Sequence, residues 1–170
     1  MFLEASVIAI GVLISFYLKG LNFLAFNFVY PDFLIIFLIY FALRRGEFSG
    51  IWIGFFAGLL EDSAILFFSD GQNAFVHVIG THMLFYTLTG YILGKLNRII
   101  DRDSMMPVMV VVLVTTVIVR ICVKGLTWVI QDINQNYDIF GTAVYTAALA
   151  PVWFFVLSWV YRATAEAEQQ

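Results

Sequence analysis

The sequence predicts an all-α polytopic membrane protein, with about six transmembrane helices in one compact bundle. Three observations carry that expectation. Hydrophobic residues make up 62% of the 170 and charged residues 12%, with a mean hydropathy of +0.91, whereas soluble domains run near half apolar and a quarter charged. Apolar runs long enough to span about 30 Å of hydrocarbon recur along the whole chain. Lys and Arg gather in alternate connections between those runs, the pattern that orients a membrane protein.

The runs follow in order. Phe2–Leu18 opens the chain without a basic n-region or a convincing cleavage site, so it reads as a retained helix and not a signal peptide. The second run, Phe23–Leu43, is interrupted by Asn22, Asn27, Pro31 and Asp32. It reads as a short helix preceded by an irregular or re-entrant segment over Leu21–Tyr30, which membranes tolerate only where protein covers the backbone. Proline removes a backbone donor and Asp32 can cap the helix that begins there; a cap and a functional contact are both open to it. Phe48–Phe68 and Ala74–Leu96 are joined by Ser69–Asn73, a tight turn by composition. Met106–Ile130 and Phe140–Tyr161 complete the set. One six-helix domain thus covers residues 1–162, and 163–170 reads as a short, disordered cytoplasmic tail.

Arg44 and Arg45 follow the second run, Lys95, Arg98 and Arg102 the fourth, and Arg162 the sixth, while the third-to-fourth and fifth-to-sixth connections hold no Lys or Arg. Both termini and the basic loops are therefore expected in the cytoplasm. Lys19, in the first connection, opposes the rule, one residue against six.

Gly54-Phe-Phe-Ala-Gly58-Leu-Leu-Glu61-Asp62 is the segment that stands out. Gly50, Gly54 and Gly58 form a small-residue ridge that admits close approach of another helix, and Asp62 continues it at the next i+4 position. Charges at membrane depth face a protein interior or a wet cavity and mark functional sites. A packing face and an acid on one side of one helix suggest an assembly site. At about 1.5 Å per residue, Asp62 lies roughly 21 Å from the start of its run and Arg120 roughly 20 Å above Pro107. Thr116, Arg120 and Lys124 share a helix face. Glu61 and Asp62 are accordingly expected to pair with Arg120 or Lys124, either as a structural lock between helices or as the wall of an outward-opening polar pocket with Asp32 and His82.

Other classes fit poorly. A net charge of −3, thinly spread, offers no basic footprint for nucleic acid. Cys122 is the single cysteine, so no thiolate cluster or internal disulfide can form. His77 and His82 are about 140° apart on a helix and do not converge on a metal; His77 is expected to be solvated and His82 to be hydrogen-bonded inside. No serine with a base, no phosphate-cradling loop and no intramembrane aspartate pair appears, so neither an enzyme nor a cofactor is expected.

Pro31-Asp32-Phe-Leu-Ile-Ile-Phe-Leu-Ile-Tyr40, Arg44-Arg45-Gly46, the ridge ending at Asp62, the small-residue turn and Gly90-Tyr91-Ile-Leu-Gly94-Lys95, taken in order, resemble MreD, the integral-membrane rod shape-determining protein of bacteria. The acid after the ridge matches at Asp62, with Glu61 an extra acid. From Asp101 onward the match is one of hydropathy only, so Arg120 and Lys124 rest on the depth argument. The resemblance implies a non-enzymatic scaffold of the rod (elongation) complex in the bacterial inner membrane. Such a scaffold binds MreC and acts through the complex with MreB, with RodA and with its partner transpeptidase in lateral-wall peptidoglycan synthesis. It also implies a fold like the substrate-binding S components of energy-coupling-factor transporters, which makes a vitamin-binding component the alternative function. That alternative lacks an evident Ala-x-x-x-Ala coupling pair. An ion or proton path through the carboxylates is a third idea, with nothing in the sequence ordering them into a relay.

Overall fold

In a computed structural model the chain is described at residues 2–21, 24, 29–68, 80–100, 104–131 and 139–167. Six α-helices follow one another: α1 Phe2–Gly20, α2 Phe33–Arg45, α3 Glu47–Phe68, α4 Thr81–Lys95, α5 Met105–Gln131 and α6 Phe140–Ala167, with a 3₁₀ turn at Leu96–Arg98 after α4. The turn expected at Ser69–Asn73, His77 and most of the segment before Tyr30 lie outside the described residues.

The molecule is inside out relative to a soluble protein. Phe155, Val129, Trp159 and Phe48 are largely exposed, while Asp32, Glu61, Asp62, His82, Thr116 and Thr146 are buried. Exposed apolar surface of this extent is stable only against lipid or a partner. Among the described residues, α5 over Met105–Ile130 (26 residues) and α6 over Phe140–Tyr161 (22 residues) are long and apolar enough to cross a membrane. Of the six expected spans, these two meet that length and hydropathy among the described residues. α2 has 13 residues and α4 has 15, about 20 and 23 Å of helix, short of the hydrocarbon thickness.

The short α2 is the axis of the bundle. Every side chain from Phe33 to Leu43 is buried, and α2 touches each of the other five helices. A helix apolar all round has no face for water; here its neighbours cover it on all sides, with Tyr40 edge-on to Phe41 and Phe154. Gly46 closes the corner into α3 at φ +85°, its N–H donating to the Ala42 carbonyl at 3.0 Å. A positive φ of that size strains any residue with a Cβ.

α3 and α4 form the most intimate pair. The Gly50, Gly54 and Gly58 ridge lies directly on α4 of the same chain: a Cβ on Gly50 would overlap the Gly90 carbonyl, one on Gly54 the backbone of Tyr86 and Thr87, and one on Gly58 the backbone of His82 and Met83. Gly94 meets Glu47 in the same way. The small-residue contact expected from the sequence is therefore intramolecular, and the ridge is filled by α4 and not held open for another protein. This backbone-to-backbone approach is how helices associate in lipid, where burying apolar side chains yields little.

At its far end α6 continues helically to Ala167, five residues into the segment read as a tail. Pro151 sits inside it, where the missing N–H leaves a carbonyl one turn earlier without its helical donor.

Gly54→Leu is expected to force α3 from α4 and to destabilise the chain by about 1–3 kcal/mol, the range for overpacking. Gly125→Leu on α5, where nothing lies within 4 Å, is expected to be silent. Thermal unfolding of both variants in detergent checks the contrast.

Candidate functional site

The buried charges converge at the end of the bundle opposite Arg44, Arg45, Lys95 and Arg98. They are positioned by helix ends. α2 begins at Asp32 because Pro31 stops any earlier helix from running through and the Asp32 side chain accepts from the Ile35 N–H at 3.3 Å, an N-cap. Asp32 is only 3% exposed yet fully occupied. Its N–H donates to the Thr146 hydroxyl of α6 at 3.0 Å, and its Oδ2 accepts from the Tyr86 hydroxyl of α4 at 3.2 Å. The same oxygen lies 3.6 Å from Lys19 Nζ of α1 and 3.9 Å from the Arg120 guanidinium of α5. Lys19 also donates to Glu61 Oε1 of α3. One residue from each of the six helices, or from its cap, thus meets around Asp32.

Asp62 does for α4 what Asp32 does for α2. Its Oδ2 accepts from the N–H groups of Gly80 (2.9 Å) and Met83 (3.1 Å). Its Oδ1 accepts from the His82 N–H at 3.0 Å and lies 2.8 Å from His82 Nδ1. Gly80, the residue before the helix, has φ +107°. Two short helices therefore each present their positive N-terminal end to a buried carboxylate, the arrangement the backbone dipoles favour. The His82 ring stands edge-on to Tyr86 at 6.0 Å, which joins the two capping groups into one polar layer.

The pairing differs from the one depth alone suggested. Arg120 reaches Asp32, not Glu61 or Asp62. Glu61 pairs with Lys19, and Asp62 is taken up by α4. Lys124 lies one turn beyond Arg120, and no ion pair of the cluster reaches it, so of the expected pocket residues it alone stays outside. The reason is angular: equal depth brings two side chains to one level but leaves open which helix they face. Three members went unrecognised in the sequence. Lys19 carried a signal, as the one cation breaking the charge alternation. Tyr86 and Thr146 carried none, because a hydroxyl within an apolar run is commonplace.

Chemically the cluster sets three carboxylates against two cations, Lys19 and Arg120, with the His82 ring hydrogen-bonded to Asp62, and the bonds among them are the kind that lock helices. Asp62 uses both oxygens, whereas Glu61 Oε2 is buried without a hydrogen bond to the described residues. Lys19 keeps 23% of its side-chain surface, so the Lys19–Glu61 pair is where the cluster opens. Among the described residues no three His, Cys, Asp or Glu side chains gather into a metal site, and no hydroxyl or thiol is bonded to a base in a nucleophile arrangement. Ser63 donates to its own helix at the Leu59 carbonyl, and Cys122 forms no disulfide.

Asp32→Ala is expected to destabilise by about 3–5 kcal/mol, because it removes the α2 cap and takes the shared carboxylate away from Lys19 and Arg120. Asp32→Asn keeps the cap and is expected to cost less. Combining Asp32→Asn with Arg120→Gln is expected to cost less than the sum of the two single changes; a double-variant cycle read by thermal unfolding tests that coupling.

No curated protein and no solved structure matches this chain. A family model does: that of the rod shape-determining protein MreD, over residues 1–163. With nearly the whole length matched and a lipid-adapted helical bundle bearing the motifs that suggested the resemblance, the chain belongs to the MreD family.

Proposed function

We propose that this chain is the membrane scaffold subunit of the bacterial rod complex, lodged in the cytoplasmic membrane with both termini inside. It binds MreC directly and, through the complex, supports MreB, RodA and the partner transpeptidase in lateral-wall peptidoglycan synthesis and rod shape. Family membership supports the class of role. The orientation rests on the basic residues at one end of the bundle and on six helices that alternate in direction, which returns both termini to that basic end.

The observation that carries the proposal is the Lys19–Glu61 pair, where, among the described residues, the buried charge cluster reaches a partly exposed side chain. A scaffold needs a rigid body and one recognition feature. The α3–α4 zipper and the Asp32 layer supply the first, and Lys19, which keeps 23% of its side-chain surface beside Glu61, supplies the second. MreC is accordingly placed against the Lys19–Glu61 opening and not on the glycine ridge. A vitamin-binding role would need the polar layer open to a soluble ligand; Asp32, Arg120 and Asp62 are instead bonded to one another and to helix ends.

Co-expressed MreC is expected to co-purify with the wild-type chain in detergent. Glu61→Gln is expected to lose MreC and round the cells with a smaller fall in melting temperature than Asp32→Ala. Asp62→Asn and Gly54→Leu are expected to lower the melting temperature first and to lose MreC only as a consequence. Loss of MreC from a Gly54→Leu chain of unaltered stability would return the interface to the ridge, and a wild-type chain that ignores MreC would overturn the scaffold assignment.

A further inference from the structure

The opposite, basic end of the bundle holds a cavity of about 160 Å³ between the C-terminal turn of α2, the start of α5 and the second half of α6. Its polar side carries the Arg44 guanidinium and the hydroxyls of Ser104 and Ser158, with the Tyr40 ring beneath. Among the described residues Arg44 donates a hydrogen bond from Nη2 to Ser158 Oγ at 3.2 Å and stacks 5.3 Å from the Tyr40 ring centre. Its lip is of opposite character: Met105 and Phe155 line the cavity and are largely exposed, so they face the lipid. A charged, hydroxyl-rich floor with an apolar lip, at the level where helices end, has the polarity profile of a phospholipid and not of a soluble anion. Arg44, Arg45, Lys95 and Arg98 stand at this end against the carboxylate of Glu47 among the side chains described there.

We infer that this cavity binds the phosphodiester headgroup of an anionic glycerophospholipid from the adjoining leaflet, with Arg44 and the two serines on the phosphate and one acyl chain laid over Met105 and Phe155. The guanidinium suits the task, since its planar fork serves phosphate oxygens through several N–H groups at once. Basic recesses between membrane helices at the cytoplasmic side are a recurrent way of holding such headgroups. The cation excess among the described side chains favours an anionic lipid over a zwitterionic one. This site is separate from the Lys19–Glu61 opening and does not depend on what binds there.

The test uses the full chain in neutral detergent, titrated with dihexanoyl-phosphatidylglycerol, dihexanoyl-phosphatidylcholine or inorganic phosphate. Retained lipid is read by native mass spectrometry and stabilisation by melting temperature. Phosphatidylglycerol is expected to be retained one per chain and to raise the melting temperature, with the other two probes inert. Arg44→Gln is expected to weaken retention at least about tenfold, the loss of a charge-assisted bond, while Arg45→Gln, which removes the same charge one residue away from the cavity lining, retains it. Should Arg44→Gln fail to fold, Ser104→Leu fills the cavity without touching the Arg44–Ser158 bond and is expected to give the same loss. Equal stabilisation by phosphatidylcholine or by inorganic phosphate would overturn the proposal. So would equal loss in Arg45→Gln, which would mean diffuse surface charge, or undiminished retention in Ser104→Leu.

Discussion

Everything in this bundle depends on how the Asp32 carboxylate is neutralised. An ionised carboxylate inside a membrane domain is costly unless it is paired and hydrogen-bonded. Asp32 is both: it accepts from its own helix at Ile35 and from Tyr86, and it stands against Lys19 and Arg120. Because those partners come from α1, α4 and α5, while Thr146 of α6 takes the Asp32 N–H, satisfying one charge sets the mutual positions of most of the bundle. Apolar side chains in lipid do not provide that specificity, since lipid tails solvate them as well as a neighbouring helix does. The polar layer decides which packing is reached, and the glycine contacts of α3 and α4 decide how closely.

The same logic explains why α2 can be short. A helix of about 20 Å leaves the rest of the membrane's thickness to be filled, and its N-terminal amides would be stranded in an apolar medium without a cap. Asp32 supplies the cap, and five surrounding helices supply the cover. α4 repeats the device with Asp62. Two half-length helices, each capped by an acid from inside the bundle, place a polar layer at a depth where continuous helices would have left only side chains.

Much of this was legible in the sequence, and the rest was hidden for definable reasons. Pro31-Asp32 announced a helix start in the middle of an apolar run, and α2 begins at Phe33. The glycine spacing announced a close helix contact but not its owner: a small-residue ridge states that a backbone comes near, not whether it belongs to the same chain. The carboxylates were recognisable as intramembrane charges, and Arg120 was placed at a workable depth. Its pairing was misassigned because periodicity along one helix says nothing about the direction in which a second helix lies. Lys19 was set aside as a minority charge in an orientation argument, although a cation out of its place in that pattern is the one held there by something other than topology. Helix α6 outran its apolar stretch because Ala163-Thr-Ala-Glu-Ala is rich in residues that propagate helix, whatever their polarity.

The arrangement around Asp32 also fixes a timetable. As the chain emerges from the ribosome, the groups that will surround this carboxylate arrive at positions 19, 86, 120 and 146. Only Lys19 precedes it. The one early partner is therefore the cation that breaks the charge alternation, and through more than fifty further residues of synthesis it alone among these partners can accompany the acid as α2 enters the bilayer. The exception to the orientation rule thus gives one of the most buried carboxylates of the finished bundle a companion before the bundle exists.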